Sequence, residues 1–224
     1  MAFQRIAIIG FGGFARELAW LIDDLSKIGK DSTFICVGHV VSEVNKSKLD
    51  KGVNSAYGLL GDINWLEQNR SAWDALAIGI GAPVHRHTIF ESLSQRFPDA
   101  AWPALIHPTV HLDFSSAQIG PGTIICANVI GTVNLKIEQA TLVNLSCTLG
   151  HEVHIKSGSV INPSVNLSGG VTIGQRVLVG TGAQVLQNIS IGDDATVGAG
   201  AVVTKNVASA TTVVGVPAKP LANR

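Results

Sequence analysis

From Ile137 onward, every sixth residue is aliphatic. The series Ile137, Val143, Leu149, Ile155, Ile161, Leu167, Ile173, Val179, Val185, Ile191, Val197 and Val203 holds for twelve positions with only Ile, Leu or Val. Four places after each comes a second, mostly small residue, from Thr141 and Cys147 through Ser159 and Ala183 to Ala195, Ala201 and Val207. A helix would require a period of 3.6 and a flat strand a period of 2. Neither yields sixes. A triangular prism does: each hexad makes one short strand and one corner, three hexads make a coil, and the aliphatic side chains stack inside. Successive coils then pair as parallel strands roughly 4.8 Å apart. Glycine tends to follow the inward residue, at Gly174, Gly180, Gly192 and Gly198, where a tight corner is expected to need a permissive backbone. Before Ile137 the register continues more weakly through Ile119 and Ile125, with Gly131 interrupting it. The prism is therefore expected to begin near Ile106.

With its closing Gly215-Val216-Pro217-Ala218-Lys219, the stretch from about 105 to 220 resembles the left-handed parallel β-helix of hexapeptide-repeat acyltransferases. The left hand is what the resemblance implies. Periodicity does not supply it, and it opposes the usual right-handed crossover.

The chain ahead of the repeat has a different texture. Arg5-Ile6-Ala7-Ile8-Ile9 reads as a buried strand and runs into Gly10-Phe11-Gly12-Gly13-Phe14-Ala15. This G-x-G-x-x-A spacing opens an amphipathic helix through Leu18 and Leu21 and lets a pyrophosphate approach the helix N-terminus closely. A second strand covers Phe34-Ile35-Cys36-Val37-Gly38 and leads to His39-Val40-Val41, without the acidic residue that a dinucleotide site places there. NAD is accordingly not expected. A third strand, Ala75-Leu76-Ala77-Ile78-Gly79, precedes a helix from Val84 that carries Arg86. Three βα units make half a Rossmann layer, enough for one mononucleotide. Trp102-Pro103 and His107-Pro108 stop that pattern. The expected organisation is an α/β half-Rossmann domain over 1–104 and an all-β helix over 105–224.

Composition narrows the partners. With 16 acidic and 16 basic residues, no net field favours nucleic acid or an anionic membrane. The three scattered cysteines lack metal-ligand spacing, and no metal is expected. No leader or membrane-length apolar run is present in the sequence, so a cytoplasmic protein is expected.

A glycine-rich βα unit followed by hexapeptide repeats resembles one branch in particular. It comprises bacterial UDP-4-amino-sugar N-acetyltransferases, perosamine N-acetyltransferases and sialic acid O-acetyltransferases. The resemblance implies an acetyl-CoA-dependent acetyltransferase of glycan biosynthesis, acting on the amino group of a nucleotide-sugar as a homotrimer. The nucleotide-sugar would lie at Gly10, Gly12, Gly13, Phe14 and Gly79, with Asn144 helping to place it. His151 would be the general base and Glu152 its orienting acid, since His suits proton transfer near neutrality. Acetyl-CoA would follow Gly180, Gly182 and Gly198, with Lys205 and Lys219 meeting its phosphates. Phe14 and Val160 stand where the branch often has histidines, and Gly150 where it has an acid. Sugar O-acetylation and a non-catalytic binding protein on the same scaffold are the alternatives. Of the other histidines, His85 and His87 read as surface residues, His107 and His111 as structural, and His154 as outward-facing.

Overall fold

The computed structural model describes residues 4–28, 34–42 and 56–221. The front layer is a parallel sheet of four strands, β1 (Gln4–Ile9), β2 (Phe34–Val41), β3 (Leu59–Asp62) and β4 (Ala75–Ile78), in the order β3-β2-β1-β4. Helix α1 (Gly13–Ile28) covers one side, and α2 (Ile63–Gln68) and α3 (Pro83–Arg96) belong to the other. The sequence signals three of these strands; β3 and α2 are additional, because Leu59-Leu60-Gly61-Asp62 is short and lacks a continuous apolar run.

The glycine motif works by close approach. Gly10 has φ +121°, and a Cβ there would lie 2.9 Å from the Gly79 carbonyl oxygen. A Cβ on Gly79 would lie 2.6 Å from the Cβ of Ala15, so helix and strand touch at Gly79 and Ala15. Gly12 and Gly13 face open space.

Beyond residue 104 the chain is a parallel β-helix. Strands pair at a distance of 18 residues, as in Ile124, Leu142, Val160 and Leu178, so three hexads close one coil. All twelve aliphatic positions from Ile137 to Val203 are buried, and so are the twelve four places on. Gly131 does not break the series: it points inward, and Leu112 and Leu135 fill the space beside it. The corners revise one expectation. Every sixth residue from Gly122 to Gly200 has positive φ, including Ala140, Ser146, Glu152, Arg176 and Asp194. Gly174, Gly180, Gly192 and Gly198 are not in that set. They are glycines because the next coil leaves no room: a Cβ on Gly180 would sit 2.5 Å from the Ala199 nitrogen.

The three faces differ in what they meet. Face one carries outward Ile124, Leu142, Val160 and Leu178, which pack against Leu18, Leu21 and Ile22 of α1 in one cluster. Face two carries Ile130, Thr148, Asn166 and Gln184, with a side-chain ladder in which Thr148 donates to Asn166 at 2.5 Å and Asn166 to Gln184 at 3.0 Å. Face three carries Gln118, Lys136, His154 and Thr172. Val160 is therefore an interface residue under the front sheet. Arg86 fastens the two parts. Fully buried, it donates to the carbonyls of Ile78 (2.6 Å) and Ile80 (3.3 Å) in the front layer and of Ala140 (2.5 Å) and Gly122 (3.2 Å) in the β-helix. Burial pushes its pKa below the ordinary arginine value.

Candidate active site

At the carboxyl ends of β1 and β4 lies a cavity of about 1020 Å3. Gly10, Gly12, Gly13, Phe14 and Gly79 all line it, which brings the whole front-domain set together. The N-terminus of α1 points at it, so backbone N–H groups and the helix dipole favour an anion there. His39 fixes the loop from below: its buried ring donates from Nδ1 to the Gly10 carbonyl at 3.0 Å, while Phe11 meets the ring edge-on with centroids 5.0 Å apart. Burial lowers its pKa, the bond to Gly10 opposes that, and the charge of Arg16 lowers it further. The opposite wall is α3, through His85, Thr88, Ser92 and Arg96. His85 is exposed, as the sequence suggests, yet it lines this wall, and the sequence gives no individual reason to expect Thr88, Ser92 or Arg96 here. The spacing of 85, 88, 92 and 96 along one helix face carried that signal. His87, also read as surface, is half-buried, and a Cβ on Gly158 would lie 2.6 Å from its own Cβ.

His151 and Glu152 occupy a corner of the prism between faces two and three. The Nδ1 of His151 lies 3.3 Å from Glu152 Oε2, with the two side chains 52% and 63% exposed. Adjacent strand residues point apart, but here Glu152 adopts φ 61° and turns back toward its neighbour. The other ring nitrogen is Nε2. It lies over Gly169, one coil on, where any Cβ would collide with the ring. A step of 18 from His151 would have singled out Gly169. Gly150 is glycine for the same close packing, since a Cβ would sit 2.5 Å from the Gly169 nitrogen. Lys205 is exposed in the corner after Val203, where the repeat shortens and Val207 pairs with Ile191.

Asn144 stands on a different corner, between faces one and two. By the 18-residue repeat it stacks with Asn162, Gly180 and Gly198, with Gly182 and Gly200 beside them facing open space. Its Oδ1 accepts from the Leu145 nitrogen at 2.8 Å. No bond of its Nδ2 is among those described. Lys219, exposed, pairs back onto Val214 in the closing hairpin over face one. One chain thus does not bring His151 to Asn144 or to the glycine column. Of the remaining histidines, His107 bonds Thr109 (2.8 Å) and Asp24 (3.3 Å), and His154 bonds Glu138 at 2.8 Å. His111 is exposed. Among the described residues, no group of three or more His, Cys, Asp or Glu is arranged to hold a metal ion.

Known proteins share this arrangement. The profile of the family described as bacterial transferase hexapeptide (six repeats) matches residues 170–205. A perosamine N-acetyltransferase from Caulobacter crescentus, solved with CoA and GDP-perosamine, superposes with a TM-score of 0.85 at 25% identity, covering 99% of each chain. The acetyltransferase domain of PglB from Neisseria gonorrhoeae, solved with acetyl coenzyme A, gives 0.83 at 27% identity, over 98% of this chain and 100% of that one. Over its whole length the chain is similar to these CoA-dependent acetyltransferases, and it is an acyltransferase. Its β-helix is the left-handed kind. WeeI from Acinetobacter baumannii matches this acyltransferase at 26% identity with a TM-score of 0.65, over 97% of this chain and 100% of that one. No curated protein matches it by sequence. Among the described residues, no helix is long and apolar enough to cross a membrane.

Proposed function

We propose that this acyltransferase moves the acetyl group of acetyl-CoA to the amino group of a nucleotide-activated amino sugar. The observation that carries this is the near-complete match to an N-acetyltransferase solved with CoA and GDP-perosamine, whose counterpart here presents a glycine-lined, anion-favouring cavity. Residues 1–104 hold the nucleotide-sugar and residues 105–224 the thioester. The backbone of Gly12 and Gly13, at the start of α1, receives the diphosphate.

The chemistry needs a proton acceptor and a donor for the developing oxyanion. Glu152 keeps the proton of His151 on Nδ1, so Nε2 takes the proton of the attacking amine and the resulting imidazolium is held by the carboxylate. As the N–C bond forms, the C–S bond breaks, and that proton goes on to the departing thiolate. Asn144 offers Nδ2 to the substrate. The corner with Asn144, Gly180, Gly182 and Gly198 and the corner with His151, Glu152 and Lys205 complete one another only across two copies. Exposed Leu145 on the first and exposed Val133 and Leu186 on the second suit such a contact. A homotrimer closes three of these pairs by cyclic symmetry. Three free, buried thiols fit a reducing, cytoplasmic setting.

Thiol release from acetyl-CoA tests the reading against a panel of UDP-, dTDP- and GDP-amino sugars. Release is expected with at least one amino sugar, with N-acetyl product by mass. Release with none overturns it.

A further inference from the structure

A second, smaller cavity of about 190 Å3 adjoins the first, and Phe14 lines both. It lies between α1 and the corner that bears Asn144, with Cys126 and Leu145 on the prism side and Trp20 on the helix side. Leu145 directly follows Asn144, so this cavity opens where the transfer is placed above. Its walls are almost wholly apolar. Two polar side chains line it, His107 and Glu17. His107 is engaged by Thr109 and Asp24. Glu17 is exposed, with no hydrogen bond or ion pair among the described residues, and its charge is felt inside the cavity: burial first, then Glu17, pushes the Cys126 thiol up to about 12.

We propose that Glu17 selects an amine over a hydroxyl acceptor by receiving the ammonium form of the substrate's amino group in this cavity. The proposal rests on the acetyl-transfer reading above and deepens it. An aliphatic amine reaches the site protonated, and the exposed carboxylate of Glu17 at the edge of these apolar walls attracts that positive charge. The faces of Phe14 and of Trp20, which is 59% exposed, add cation–π attraction. A hydroxyl sugar of the same shape gains neither term and still displaces water from the carboxylate, so the same residue that attracts one acceptor disfavours the other. Glu17 acts on recognition. The amine then loses its extra proton to solvent and the second to His151.

The test compares UDP-, dTDP- and GDP-linked amino sugars with their hydroxyl counterparts, by calorimetry and by acetyl transfer, for the parent, Glu17→Gln and Glu17→Asp. The parent is expected to bind the amino form about 10- to 100-fold more tightly, the range of a hydrogen bond to a charged group. Glu17→Gln should erase that preference with acetyl-CoA binding unchanged, and Glu17→Asp should keep part of it. The ratio of parent to Glu17→Gln kcat/KM should also shrink as pH rises and the free amine becomes abundant, which a packing role would not produce. A Glu17→Gln enzyme that acetylates amines with the parent's preference overturns this proposal alone. A parent that binds and acetylates no nucleotide amino sugar overturns the function reading, and this proposal falls with it.

Discussion

Two histidines of this chain play opposite parts. His151 is exposed and set by Glu152, so replacing it removes chemistry and little structure. His151→Ala is expected to lower kcat by about 10²–10⁴, the usual worth of a positioned base, with acetyl-CoA affinity nearly unchanged. Glu152 carries a backbone cost as well: at φ 61° an L residue is disfavoured by roughly 1–2 kcal/mol relative to the right-handed region. Glu152→Gly should therefore match or exceed the parent in thermal midpoint while losing activity, separable by calorimetry and turnover. His39 is the reverse case, buried and structural. Its folded pKa is depressed, so the unfolded chain binds the proton more readily and stability falls with pH. The loss should begin as pH drops through the ordinary imidazole value of about 6.5 and end below the folded value. Urea unfolding on both sides of that range, with His39→Gln losing the histidine's share of the dependence, checks it.

At the scale of elements, the junction between α3, β4 and the prism is the most exposed to damage. Arg86 reaches carbonyls that come from three separated stretches of chain, and a fork of five donors suits that task where an ammonium would not. Each buried acceptor left unpaired costs about 1–3 kcal/mol. Arg86→Leu is expected to destabilise the protein by on the order of 3 kcal/mol, with Arg86→Lys recovering only a part, as denaturant midpoints would report. The docking of α1 on face one had a sequence signal too. Ile124, Leu142, Val160 and Leu178 are outward residues spaced by 18, and they are apolar where the equivalent residues Thr148, Asn166 and Gln184 of face two are polar. A search for sixes alone does not see that difference.

For the molecule as a whole, the division of candidate site residues between two corners is the deciding geometry. A closed threefold assembly gives three equivalent sites and covers the apolar side chains on both corners. Light scattering is expected to give three times the 23.4 kDa of one chain. Co-refolding His151→Ala with Asn144→Ala chains should recover activity that neither shows alone, since some interfaces then pair an intact corner of each kind. A stable, fully active monomer would contradict both.

The sequence alone carries the prism, its core and the glycine turn at α1, because each depends on a local rule. A period of six fixes which side chain of every rung points inward, and the spacing of Gly10, Gly12 and Gly13 fixes a turn over a few residues. It also named His151 and Glu152, through resemblance, as neighbours in sequence. That their side chains meet is visible only in the folded chain, since it hangs on the left-handed backbone at Glu152, which nothing in the identity of a glutamate announces. Only the tertiary structure, again, showed that Arg86 is buried and that the glycines after the inward residues serve coil-to-coil contact and not the turn. Those outcomes depend on groups far apart in the chain: carbonyl ends converging on one guanidinium, and a backbone nitrogen from the next coil arriving where a Cβ would be.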